Sequence, residues 1–306
     1  LGKPRCGATF EAKQKDAQGG KIKQDEPQSA EPRCFSIEVA YDGAAFAGWQ
    51  IQPQRRTVQG ELTELCARIL DQPVSLTGAG RTDAGVHALA SLCSLKAHTP
   101  RRAEELYHGL RRLAPPDVLV RRVDERPLDF SARFSARARQ YLYRLVRGED
   151  PFRRGQAWCS SYRLDVDAMR QALTALRGRR DCRALCVAGS LPPTAWCEFQ
   201  LAELAEREDE LHFRVRCDRF LHSMVRSLAG TLHDVGRGRL APQVLEEALE
   251  KGDRRLCGVV APPQGLYLER VAYEDFQTGG APGWSRMPED TPSSASEQET
   301  KQGEAR

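Results

Sequence analysis

Asp83 lies in the stretch GRTDAGVH, residues 80–87, which holds a cation, a hydroxyl, a carboxylate, an imidazole and two glycines between apolar segments. Arg81 stands two positions before it, so an ion pair would keep the carboxylate ionised and fix its direction. An oriented, ionised Asp can act as nucleophile or general base. The bland alternative is a loop carboxylate that caps backbone N–H groups beside a turn. Further along, Tyr141 and Tyr143 lie two apart in QYLYRLV, with Arg137 and Arg139 at the same parity. Rings and guanidinium groups on one strand face suit stacking on a nucleobase while holding phosphates; core packing of one tyrosine is the competing reading. His222, Arg226 and His233 fall on the side of a helical pattern opposite its apolar stripe. From there Arg226 either reaches a carboxylate such as Asp83 or is solvated.

The chain carries no P-loop, dinucleotide fingerprint, H-E-x-x-H or G-x-S-x-G, which argues against most cofactor-driven chemistry. Its ten cysteines are scattered and form no C-x-x-C pair, so reduced thiols are expected. Cys182 and Cys186 are spaced as half of a zinc site, but no second pair follows at finger-like spacing. No metal and no cofactor are expected. No apolar run is long enough to span a bilayer and residues 1–30 lack a signal-peptide core, so the expectation is a soluble cytoplasmic protein with no membrane contact. Net charge is only +4, yet residues 101–154 hold 14 Arg and no Lys against 8 Asp and Glu. That excess reads either as a phosphate-facing surface or as a solvated arginine-rich face.

The elements that must position these groups follow from periodicity. Residues 35–41 alternate as a half-buried strand, and Val58, Leu62, Leu65 and Ile69 mark a helix over 57–70. Strands at 73–76 and 90–95 then flank the Asp83 loop. Leu106, Leu110 and Leu113 mark another helix, followed by a strand at 118–120. The second half predicts strands at 140–146, 211–216 and 266–273, and helices at 165–177, with Asp165 as N-cap, and at about 242–250. Its longest helical stripe runs from Leu221 to Val235 with Gly236 as the stop. The polar, aperiodic residues 1–33 and 276–306 read as a disordered extension and tail. Between them lie an N-terminal half, 34–136, carrying the Asp loop, and a C-terminal half, 137–275, which together suggest an α+β duplication.

GRTDAGVHA, residues 80–88, resembles the signature of the tRNA pseudouridine synthase A family. Further matches occur in order: YDG at 41–43, GWQ at 48–50, TVQ at 57–59, FSARFSA at 130–136 leading to Tyr141 and Tyr143, FLHSMVR at 220–226 and GLYL at 265–268. The resemblance spans about 35 to 275. It implies a pseudouridine synthase fold, α+β, with two similar α/β halves whose mostly antiparallel sheets flank a central basic cleft. It implies isomerisation of uridine to pseudouridine at positions 38 to 40 of the tRNA anticodon stem-loop by a homodimer that needs no cofactor. By the same resemblance Asp83 is the catalytic aspartate, Tyr141 stacks on the target base and assists proton transfer at C5, and Arg226 pairs with Asp83. Arg81 helps to displace the target nucleotide from its stack, and Arg139 and His222 contact the RNA.

One segment departs from the family. Where relatives carry Asp-Phe-x-x-Phe and then Arg-Thr, this chain reads DCRAL at 181–185 and PTAWC at 193–197. In the family that region lies near the RNA, so the departure bears on substrate choice more than on chemistry. The alternatives are the same isomerase chemistry on another RNA and a catalytically idle RNA-binding protein.

Overall fold

Alternation and capping produce the expected framework. β1 (Pro32–Tyr41) buries Phe35, Ile37 and Val39, and α1 (Val58–Leu70) starts at Thr57, whose hydroxyl accepts the Gly60 N–H at 3.2 Å. Next come β2 (Leu76–Gly78), β3 (His87–His98), α2 (Ala103–Leu113) and β4 (Val118–Arg126). The second half contributes β5 (Ala138–Arg147), β6 (Trp158–Ser160), α3 (Val166–Leu173), β7 (Gly178–Asp181), β8 (Trp196–Arg207), β9 (Glu210–Cys217), α4 (Met224–Gly236), α5 (Val244–Lys251) and β10 (Leu266–Ala272). The computed structural model describes residues 31–187 and 189–279. Most of the expected extension and tail lie outside that range.

The two halves meet in one ten-stranded sheet of order β4-β1-β3-β10-β5-β9-β8-β7, with β2 on β3 and β6 on β5. Most neighbours are antiparallel, as expected. The junction is different: β10 runs parallel to β3 over two residue pairs, Tyr267 with His87 and Leu268 with Ala88. That seam adjoins the Asp83 loop, because β3 begins at His87.

Several expectations need correction. β8 falls where no strand was expected, because its Leu-Ala-Glu-Leu-Ala-Glu run favours a helix; pairing with β9 overrides that preference. α3 stops at Leu173 instead of 177, and Gly178, at φ +62°, opens β7. Residues 276–279 fold onto the sheet: the Thr278 hydroxyl donates to Ala90 O at 2.7 Å, and Phe276 stacks on Tyr273 at 4.5 Å. α4 has no polar face, since every residue of it except Arg226 is buried. His233 therefore lies inside, its Nε2 2.8 Å from Ser160 Oγ and its ring against Trp158. No helix of the described residues is long and apolar enough to cross a membrane.

Candidate active site

The Asp83 loop is held by the segment that follows β1. Trp49 N–H donates to Thr82 O at 3.0 Å, Gly85 N–H to Phe46 O at 3.3 Å, and the buried hydroxyls of Thr82 and Tyr41 meet at 2.9 Å. Two glycines allow this contact. A Cβ on Gly43 would stand 2.1 Å from Val86 O, and one on Gly48, whose φ is +98°, would stand 2.6 Å from Thr82 O. His87 is part of the same brace. Its Nδ1 accepts the Gly43 N–H at 3.1 Å, and burial lowers its pKa against the opposing pull of Asp42, which favours the neutral acceptor form.

With Thr82 drawn inward, a turn closed by Val86 N–H on Asp83 O aims the Asp83 carboxylate across the seam at the start of α4. The expected Arg81 ion pair does not form. Arg81 is exposed and has no hydrogen bond or ion pair among the described residues, and Arg226 takes its place: Nη1 lies 2.8 Å from Asp83 Oδ2 while Nε donates to Ala261 O at 2.9 Å. Ser223 Oγ donates to the same Oδ2 at 2.7 Å. Among the described residues the other oxygen, Oδ1, accepts no hydrogen bond, and His222 Nε2 lies 3.6 Å from it. Two charge-assisted hydrogen bonds and the positive end of α4 thus hold one oxygen of the carboxylate and leave the second without a hydrogen bond among the described residues.

The two tyrosines separate by role. Tyr143 is 2% exposed, and its hydroxyl donates to Pro262 O at 2.9 Å, a packing role. Tyr141 lies edge-on to Phe220 at 5.0 Å, and its hydroxyl makes no hydrogen bond among the described residues. Burial pushes its phenol up to about 12, with Arg139 opposing and Asp83 adding to the rise, so it stays neutral across ordinary pH.

Arg139 corrects the sequence reading. All five guanidinium N–H donors are spent on backbone carbonyls: two on Ala79 O, at 3.1 and 2.8 Å, and one each on Ala136, Asp218 and Arg133, at 3.3, 2.9 and 2.8 Å. It ties the approach to the Asp83 loop to the two segments flanking Tyr141, and no donor is left for a phosphate. Its neighbourhood corrects the charge reading too. Of the fourteen arginines in residues 101–154, nine lie against carboxylates, Arg144 on Glu210 at 2.7 Å among them. Much of the excess charge is therefore neutralised locally.

His222 precedes α4, with half its side chain exposed, and its Nδ1 lies 2.9 Å from Ser190 Oγ. The divergent segment thus reaches the site through Ser190. Sequence reasoning missed Ser223: it lies within FLHSMVR, yet only Arg226 and His222 of that run were given a role. Among the described residues no three His, Cys, Asp or Glu side chains converge as a metal-binding group, and all nine described cysteines, Cys182 and Cys186 included, are free thiols.

A family model described as tRNA pseudouridine synthase matches residues 37–135 and 172–274. The chain is 38% identical over 242 residues to tRNA pseudouridine synthase A of Exiguobacterium sp., which covers 79% of this chain and 98% of that protein. It is 39% identical over 246 residues to the protein of the same name from Parvibaculum lavamentivorans, covering 78% of this chain and 99% of the relative. A third protein of that name, from Geobacillus kaustophilus, is 39% identical over 240 residues, covering 78% and 93%.

Proposed function

The chain belongs to the tRNA pseudouridine synthase family, a family of isomerases, and from that premise we propose that it converts uridine to pseudouridine at positions 38 to 40 of the tRNA anticodon arm, with Asp83 as the catalytic residue. The reaction breaks the N1–C1′ bond and forms C5–C1′; C5 gives up a proton and N1 gains one. Substrate and product are isomers, so no redox partner or transferred group is needed.

One observation carries the reading: an aspartate with one oxygen anchored by Arg226 and Ser223, the other without a hydrogen bond among the described residues, and its charge near enough to Tyr141 to act on the phenol. The oxygen without those bonds either attacks the sugar or removes a proton from it. Tyr141 stacks on the extruded uracil, and its neutral phenol assists proton transfer at C5. A base inside a helical stem is out of reach of Asp83, so the nucleotide is flipped, and the unpaired Arg81 guanidinium stands beside the loop to displace it. His222 lines the same opening. The stem itself is recognised by shape and phosphates, two subunits of a homodimer together holding one tRNA.

Tritium release from tRNA labelled at uracil C5 tests this, comparing the parent chain with Asp83→Ala and tRNAs with and without uridines at 38 to 40. Release that needs both Asp83 and those uridines supports the reading. Release from other uridines moves the substrate, and release by Asp83→Ala removes the aspartate from the chemistry.

A further inference from the structure

Ser223 occupies the N-cap position of α4 in the left-handed region, at φ 55° and ψ 16°, and makes no capping bond from its side chain. Both facts run against ordinary helix chemistry. Serine at an N-cap adopts extended backbone and accepts an N–H of the first turn, and a residue with a Cβ at positive φ is strained. The strain is not relieved by a glycine here. It is accompanied instead by a hydroxyl turned out of the helix and donated to Asp83 Oδ2 at 2.7 Å.

We propose that Ser223 is a positioning residue for the isomerisation: with Arg226 it saturates one oxygen of Asp83, so that the other is the oxygen that reacts. The inference rests on Asp83 being the catalytic residue. Arg226 alone fixes a distance, but a single donor leaves the carboxylate free to rotate about Cβ–Cγ and present either oxygen. A second donor from a different direction removes that freedom. Geometry then makes the two oxygens unequal before substrate arrives: Oδ2 holds Arg226 at 2.8 Å and Ser223 at 2.7 Å, whereas the His222 Nε2 stands 3.6 Å from Oδ1. Reactivity depends on a reacting atom held close to its attack geometry, and small misplacements are costly. Ser223 supplies that restraint without touching the uridine.

Glycine separates this role from a backbone role. Ser223→Gly relieves the positive φ and deletes the hydroxyl, so it leaves Tm unchanged or higher while lowering kcat by roughly tenfold or more, about the worth of one charge-assisted hydrogen bond. The KM for tRNA stays within about twofold, since the RNA contacts lie elsewhere. Ser223→Ala loses kcat likewise. Ser223→Asn keeps a donor on a residue that tolerates positive φ, and it recovers most of the loss. Single-turnover tritium release and thermal melts of the four chains, alongside Asp83→Ala, decide the matter. A kcat order with Ser and Asn above Gly and Ala, independent of Tm, supports the proposal. A kcat that follows Tm, or a fully active Ser223→Gly beside a dead Asp83→Ala, overturns it. An active Asp83→Ala overturns instead the assignment of the aspartate itself.

Discussion

Asp83 and Arg226 are separated by 143 positions in the chain, and their side chains meet at 2.8 Å. The contact joins a loop of the N-terminal half to the one residue of α4 that is not buried, and Arg226 is held in turn by Ala261 O. Lysine keeps the charge but lacks the planar fork that serves both partners. Arg226→Lys should lower single-turnover kcat by about 10- to 100-fold while tRNA affinity changes by less than about threefold. Equal losses in rate and affinity, measured by rapid quench and filter binding, would instead place Arg226 on the RNA.

The tyrosines give opposite signatures. Removing the Tyr143 hydroxyl breaks its bond to Pro262 O, so Tyr143→Phe should cost about 1 kcal/mol in urea unfolding and leave turnover intact. Tyr141→Phe deletes a hydroxyl with no partner among the described residues, so stability should hold while the step that uses the phenol slows. Unchanged kinetics for Tyr141→Phe would take the hydroxyl out of the mechanism.

Arg139 should behave as a structural clamp. Lysine has three donors for five bonds, so Arg139→Lys leaves carbonyls near Ala79, Arg133 and Asp218 unsatisfied and should cost about 2 to 4 kcal/mol. Denaturant melts read this directly; an unaltered midpoint combined with weaker tRNA binding would restore Arg139 to the RNA-contacting set.

Acid should unfold the protein partly through Glu210. Burial alone would raise its pKa, but hydrogen bonds from Arg144 and His212 outweigh burial and hold it at about 2, below its ordinary 4.5. A depressed carboxylate contributes its full stability above the unfolded value and loses it as pH falls through the folded one. The urea midpoint should therefore decline between about pH 4.5 and 2, and Glu210→Gln should take a share of that slope away. A variant with the parent's slope would assign the acid sensitivity to other carboxylates.

What was legible in the sequence follows from where information is local. Strand and helix periods around the site are local, and so are motifs that put an aspartate between glycines or a tyrosine on a strand. Thr57 and Asp165 cap α1 and α3 as their types and places suggest. Partner choice is not local. Arg81 lies nearest Asp83 in the chain yet points to solvent, because Thr82 is pulled toward Tyr41 and the loop turns after it. Arg139 looks like a phosphate contact until its carbonyls are seen to converge from three segments. Ser223 lies within FLHSMVR, but nothing in that run shows that its backbone takes a positive φ or that its hydroxyl reaches Asp83. Charge counting overstates the local excess for the same reason, as acids distant in sequence, such as Glu206 and Glu210, pair with Arg147 and Arg144.

The central place of β10 has a consequence for biosynthesis. Among the described strands it is the last to be made, yet it lies between β3 and β5 and is the only strand joining the two halves of the sheet. While a ribosome is still translating the middle of the message, the loop bearing Asp83 is already made and Arg226 and Ser223 are not. Each half can gather its own strands as it emerges, but the sheet cannot be completed across its centre until residues 266–272 have cleared the exit tunnel. The pairing of Asp83 with Arg226 and Ser223 is thus a late event in the making of the chain, fixed in place with the closing of the sheet.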